Sequence, residues 1–252
     1  MTRVLLVGDW WDAVTIEVTG HESVPRARTD TEPQGVVEAL EHEGHVVTRM
    51  PSPAVASGFP ETPAKLDAYD VVVLSDVTAD SLLLHPQVIQ RARPFPNRVK
   101  VLAEWVRSGG GLAMVGGYLS FQGFHAKAAY HGTPIEEVLP VRILPYDDRV
   151  ECPEGVAGRL TGDEHEVTAG LERTWPIMLG YQRLVAKPEA RVLATIGSDP
   201  LLTVAAAGAG RTLAFASDIS PHWAPAEFTR WTGYPRLFVQ AVTWLAGGEM
   251  RR

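Results

Sequence analysis

The sequence predicts an α/β fold: a mostly parallel sheet with helices on both faces, extended by antiparallel strands in its second half. Three observations carry this. Residues 1–115 alternate short apolar runs with amphipathic helical segments, as parallel sheets built from crossover units do. The runs at 4–7 and 71–74 are apolar without alternation, the mark of strands buried on both faces. Residues 191–216 hold three strand-like runs separated by short glycine-containing turns, which suits antiparallel neighbours.

Taken in order, the first run ends at Gly8-Asp9. Residues 9–33, with Trp10, Trp11, His21 and two prolines, read as a long loop; loops of that length in compact domains are functional or disordered. Residues 34–43 form a helix with Val36, Val37 and Leu40 on one face and Gly44 as its stop. Residues 45–50 are a second strand, and Pro51, Pro53, Pro60 and Pro63 make 51–63 a loop. The run 71–74 ends at Ser75-Asp76. Asn97 caps a helix in which Val99, Leu102, Ala103 and Val106 recur at helical spacing. Gly109-Gly110-Gly111 ends that helix and leads into the strand 112–115.

Pro134 opens a short helix over 135–139, and 141–144 is strand-like. Residues 145–164 are rich in Asp, Glu, Gly and Pro and read as irregular. The runs 191–196, 201–207 and 211–216 are the antiparallel strands. Tyr234, Leu237, Phe238, Ala241, Val242 and Leu245 share one face of the last helix, which Gly247-Gly248 ends. No repeat and no linker divides the chain, so one domain over residues 1–252 is expected.

Composition limits the partners. A net charge of −7 argues against a nucleic-acid backbone or an anionic membrane surface. The single cysteine, Cys152, leaves no internal disulfide and suits a reducing compartment. The apolar run at 4–7 is too short for a signal peptide or a membrane span, so a cytoplasmic protein is expected. Seven tryptophans and the proline-flanked apolar loops 51–63 and 82–96 point to self-association, a dimer or larger.

The stretch MVGGYLSFQG, residues 114–123, runs from a strand into a Gly-Gly turn, the shape of a nucleophile elbow, yet Tyr118 stands where a nucleophile is wanted. With LAMVGGYLSFQG, the segments TPIEEVLPV, DDRVECPEG, GRTLAFASDISPHW and FTRWTGY resemble a family of bacterial cytoplasmic proteins described as class I glutamine amidotransferase-like. A looser likeness is to trehalose-utilisation-type proteins. The resemblance covers most of the chain and implies a flavodoxin-like three-layer fold. It implies no settled reaction. Amidotransferases of this class use an elbow Cys and a later His-x-Glu. Here Tyr118 replaces the Cys, and the residue two after His222 is Ala224, with Glu227 the nearest acid downstream. Ordinary glutaminase activity is therefore not expected. Cys152 lies beside Glu151 and near Glu154, which raise a thiol's pKa, so it reads as a packing residue.

Ligands of open α/β sheets bind beyond the carboxyl ends of the strands. That rule selects His222, Asp218 and Tyr118 as catalytic candidates. Gly117, Ser120, Gln122, Asp9, Trp10, Asp76 and Trp223 are the candidates for substrate contact. His222 would be the acid/base and Asp218 its orienter. Bland readings stand beside these: Asp9 and Asp76 as turn caps, and His222 as a structural histidine. The cluster Asp147-Asp148-Arg149 with Glu151 and Glu154 could bind a metal, but reads rather as a solvated turn with a local ion pair. No phosphate loop and no compact metal-ligand spacing is present, so neither cofactor nor metal is expected. The leading reading is a hydrolase or isomerase acting on a small polar molecule. The alternatives are a non-catalytic binding or assembly protein that kept the fold, and an amidotransferase with a rearranged site.

Overall fold

The computed structural model describes residues 1–31 and 34–247, leaving Pro33 of the expected 9–33 loop and Gly248 of the last helix stop outside the described residues. The strands are β1 (Arg3–Gly8), β2 (Trp10–Thr19), β3 (Glu22–Thr31), β4 (Val46–Met50), β5 (Val71–Ser75), β6 (Gly111–Val115), β7 (Val141–Arg142), β8 (Arg149–Leu160), β9 (Thr174–Gln182), β10 (Val185–Ala186), β11 (Arg191–Ile196), β12 (Asp199–Ala207) and β13 (Gly210–Phe215). Nine of them form one sheet in the order β4-β1-β5-β6-β13-β12-β11-β8-β9. The first five are parallel neighbours. The last four run antiparallel. The parallel part has the flavodoxin-like strand order, in which the direction of winding reverses between the first strand and its inner neighbour.

The core follows from the apolar runs. Val4, Leu5, Val7, Val71, Val72, Leu112 and Met114 are all fully buried, because helices cover both faces. Helices Gln34–His42 and Gly233–Leu245 pack together over Val4, Leu6, Val73, Ala113 and Leu213. Helices Ser52–Gly58, Ala79–Leu83 and Arg98–Arg107 pack with one another away from that pair. Arg98 is fully buried there and donates to the carbonyls of Leu82 (2.6 Å), Val55 (3.1 Å), Ala56 (3.0 Å), Ser81 (3.2 Å) and Phe59 (3.4 Å). One guanidinium thus fastens the two short helices Ser52–Gly58 and Ala79–Leu83 to its own. Asn97 caps the helix as its position predicts, its side chain accepting from the Lys100 N–H at 3.0 Å.

Three local expectations are corrected. Of the expected 9–33 loop, residues 10–31 form a hairpin: β2 and β3 pair antiparallel over ten residues each, around a turn at Gly20-His21. The alternation Val14-Thr15-Ile16-Glu17-Val18-Thr19 carries the period of two that such a ribbon needs. The stretch 51–63 holds the helix Ser52–Gly58, and Pro63 opens another, Pro63–Leu66, because proline is well placed in a first helical turn. The span 145–164 contains the twelve-residue β8. Its register slips between Glu151 and Val156, so the turn-forming Pro153 and Gly155 fall in a bulge instead of breaking the strand.

Candidate functional site

β1 and β5 are neighbours at the reversal of winding, and each ends in an aspartate. Asp9 and Asp76 both take positive φ, +53° and +46°, a conformation that asparagine and aspartate tolerate better than most residues. Asp218 comes from the segment after β13. The three carboxylates are 1%, 5% and 1% exposed, and one oxygen of each lies within 4.8 Å of the others. Asp9 is hydrogen-bonded to the Ser220 hydroxyl at 3.0 Å, and Asp76 accepts from the Leu119 N–H at 2.6 Å. Asp218 Oδ1 accepts from the N–H groups of Ile219 (2.7 Å) and Ser220 (3.0 Å) and from the Ser220 hydroxyl (3.1 Å).

Burial pushes the Asp76 carboxyl well above the usual carboxylate range, and the negative charge of Asp218 pushes it further. These three side chains are the set, among the described residues, whose donors could converge on a hard cation. One oxygen of each is already engaged by the internal bonds above.

The elbow sits over this cluster. β6 runs into Gly116-Gly117, and both glycines are required by close approach. A Cβ at Gly116 would lie 2.4 Å from the Gln182 side chain and 2.5 Å from the Ala216 carbonyl. A Cβ at Gly117, where φ is +139°, would lie 2.5 Å from the Asp76 carboxyl group. Gln182, fully buried at the end of β9, holds Gly117 from both sides: its amide nitrogen donates to the Gly117 carbonyl and its oxygen accepts from the Gly117 N–H at 3.3 Å. Ser120 accepts from the Asp76 N–H at 3.0 Å. In a nucleophile elbow the N–H of the residue after the nucleophile helps to stabilise the oxyanion. Here that N–H belongs to Leu119 and is bound to Asp76.

Above the carboxylates lies an aromatic shell. Tyr118 and His222 meet edge to face with ring centroids 4.1 Å apart, and Tyr118 lies 5.8 Å from Trp223. The Arg149 guanidinium spans the parallel rings of Tyr118 and Phe124, at 4.7 and 4.3 Å from their centroids. It is neutralised by Asp147 at 2.9 Å and Glu151 at 3.4 Å. Glu151 also accepts from the Trp223 indole at 3.0 Å. His222 Nδ1 lies 3.8 Å from Asp218 Oδ2, an ion-pair distance that a small movement would close to a hydrogen bond. Burial, then the Glu151 carboxylate, pushes the Tyr118 phenol up, away from nucleophilic reactivity. Burial, Glu154 and Glu151 likewise push the Cys152 thiol up.

Of the residues selected from sequence, Asp9, Asp76, Gly117, Tyr118, Ser120, Asp218, His222 and Trp223 converge. Trp10 is half-buried and its indole donates to Asp12 at 3.2 Å. Gln122 is turned to structural use: it accepts from the His131 N–H at 3.2 Å. The Asp147–Arg149 ion pair matches the bland reading of that turn, but Asp148 does not. Asp148 is 2% exposed and receives the Gln122 and Gly123 N–H groups at 3.0 and 2.8 Å, and burial pushes its carboxyl up to about 6. Gln182 and Phe124 were not selected from sequence, and Arg149 and Glu151 were noted only as part of a charged turn. Gln182, Arg149 and Glu151 reach the site from β9 and β8, which only the antiparallel half of the sheet brings close.

A family model described as "Putative glutamine amidotransferase" matches residues 3–247. The cytoplasmic protein STM3548 from Salmonella typhimurium superposes with a TM-score of 0.93 at 38% identity, over 97% of this chain and 99% of that one. The cytoplasmic protein STM1381 from Salmonella typhimurium LT2 does so with a TM-score of 0.92 at 36% identity, over 96% and 99%. A ThuA-like protein from Parabacteroides merdae shares the fold with a TM-score of 0.61 at 14% identity, over 100% and 92%. No curated protein sequence matches the chain. No helix among the described residues is long and apolar enough to cross a membrane.

Proposed function

The chain belongs to the glutamine amidotransferase-like family, and on that premise we propose that it is a cytoplasmic enzyme that has kept the fold without the glutaminase chemistry. It acts by proton transfer on a small polar molecule, as a hydrolase or isomerase does. The observation that carries this reading is the geometry of His222, whose Nδ1 lies 3.8 Å from Oδ2 of the buried Asp218, a carboxyl group clustered with those of Asp76 and Asp9. A histidine within reach of a buried carboxylate is the arrangement that general acid–base catalysis uses. His222 exchanges the proton with substrate, Asp218 fixes its tautomer, and Tyr118 and Trp223 form the wall against which the substrate lies. The surrounding carboxylates, with Arg149 already neutralised, favour a neutral polyhydroxylated or a cationic substrate over an anion. The cytoplasmic assignment rests on the relatives that bear that description.

Glutamine hydrolysis is disfavoured on three counts. A phenol stands at the elbow, its hydroxyl is pushed up, and the amide that would steady an oxyanion is held by Asp76.

The test is a thermal-shift panel of sugars, polyols, sugar amines and amides, followed by NMR turnover assays on each hit. Wild type is expected to be stabilised by at least one neutral or cationic member and to convert it. His222→Ala should lose the turnover while keeping its melting temperature, since a half-exposed strand-end loop residue adds little to the core. Turnover retained in His222→Ala, or ammonia released from glutamine, overturns the proposal.

A further inference from the structure

The segment after β13 folds back on itself at Asp218-Ile219-Ser220. Asp218 Oδ1 receives the N–H groups of Ile219 and Ser220, which closes a tight turn. Ser220, 5% exposed, brings its hydroxyl to 3.1 Å from that same oxygen and to 3.0 Å from Asp9 Oδ1. One side chain thus links the end of β1 to the segment after β13.

The two contacts raise a question of proton count. A hydroxyl carries one proton, and an ionised carboxylate oxygen can only accept. The serine proton cannot serve both carboxyl groups, so the pair of hydrogen bonds needs a second proton. Asp218 Oδ1 is taken up as an acceptor by two backbone N–H groups and has no proton to give. The proton between Ser220 and Asp218 is therefore the serine's own, and the one between Ser220 and Asp9 comes from Asp9. The energetics agree. Asp9 and Asp218 are each 1% exposed, with oxygens within 4.8 Å of one another. Two negative charges so close and so far from water repel strongly, and one proton held by the pair removes that repulsion.

We propose that Asp9 is held as a carboxylic acid that donates to Ser220, and that Ser220 donates in turn to Asp218. Ser220 is then a positioning residue that leaves the single negative charge of the pair on Asp218, opposite His222. This rests on the acid–base role proposed for His222 and supplies what that role needs. The turn and the serine fix Oδ1, so Oδ2 is aimed at His222 Nδ1, 3.8 Å away. The other titratable groups about His222 are the Tyr118 phenol, with Glu151 and Arg149 behind the Tyr118 and Trp223 rings, and Asp76 completes the carboxyl cluster.

Two spectroscopic readouts test this, both at pH 7 or across a titration and both without substrate, so their failure is separable from failure of the proposed reaction. The first is infrared spectroscopy of protein labelled with ¹³C at its aspartate carboxyl groups. The C=O stretch of a protonated carboxyl stands apart from carboxylate bands and moves with the label. Wild type is expected to show such a band from Asp9, and Asp9→Asn to lose it. Ser220→Ala should move the band to higher frequency, because the acid O–H loses its acceptor, and Ser220→Thr should restore it. The second is the NMR titration of the His222 ring, assigned by its absence in His222→Ala. Its midpoint should be unchanged in Asp9→Asn, which replaces a neutral group by a neutral group able to donate to Ser220. It should fall in Asp218→Asn, which removes the facing charge. A wild type without a labelled C=O band overturns the inference whatever the variants do. So does a band that survives unchanged in Asp9→Asn, or a midpoint that falls in Asp9→Asn. Addition of Mg²⁺ to EDTA-treated protein is the last arm: a midpoint that it shifts, with loss of the band, means that the three carboxylates bind a cation in ionised form, and this too overturns the inference.

Discussion

Replacing Gln182 by leucine tests what holds the elbow. The side chain is fully buried, and both its amide groups are spent on Gly117, one receiving its N–H and one donating to its carbonyl. Leucine keeps most of the volume and removes both partners. The buried Gly117 N–H is then left unsatisfied at about 1–3 kcal/mol, while the Gly117 carbonyl keeps only the long bond from the Ser120 N–H at 3.4 Å; with about 1 kcal/mol for the hydrogen bond lost there, a loss of about 2–4 kcal/mol is expected. For a chain of this size about 1 kcal/mol moves the midpoint by about 2–4 °C, so the melting temperature should fall by roughly 4–16 °C. Urea denaturation followed by tryptophan fluorescence measures the free energy directly, and Trp223, 5.8 Å from Tyr118, reports on the same region. A loss below about 1 kcal/mol, with an unchanged slope against urea, would refute the reasoning.

Gly117→Ala should destabilise by about 2–4 kcal/mol, because its Cβ meets the Asp76 carboxyl group at a positive φ; adding Asp76→Ala should recover part of that loss in a double-mutant cycle, and strict additivity would sink the explanation. Asp148 is raised from its ordinary 3.8 to about 6, so the folded state holds its proton more tightly than the unfolded state. Its contribution is full below about pH 4 and is lost as pH rises through 6. The stability of wild type relative to Asp148→Ser should therefore fall by about 3 kcal/mol between those limits, and a difference that is flat or rises with pH contradicts the assignment. Arg98→Met should cost more than about 3 kcal/mol, since it strips the buried partner from the carbonyls of Leu82, Val55, Ala56, Ser81 and Phe59; calorimetry showing a shift under about 2 °C would contradict it.

The parallel half was legible because its signals are local. Continuous apolar runs announced β1 and β5, the Asn97 cap announced its helix, and the strand-end rule pointed to Asp9, Asp76, Tyr118 and Asp218 before any contact was known. The hairpin was legible too, in the alternation from Val14 to Thr19, but the tryptophans and prolines around it read as loop punctuation. β8 was hidden for a firmer reason. Its Pro153 and Gly155 have low strand propensity, and only pairing with β9 and β11 repays a bulge around them.

The site divides in the same way. The sequence by itself determined that a phenol stands at the elbow, that a histidine follows an aspartate after β13, and that glycines occupy the turn. What only tertiary structure decided is the charge state and the shape. Asp9 meets Ser220 across most of the chain, Leu119 donates to Asp76, and Gln182 and Arg149 arrive from the antiparallel strands. A carboxyl group's proton affinity depends on its burial and on the charge beside it. Both are properties of the folded arrangement that no spacing along the chain encodes.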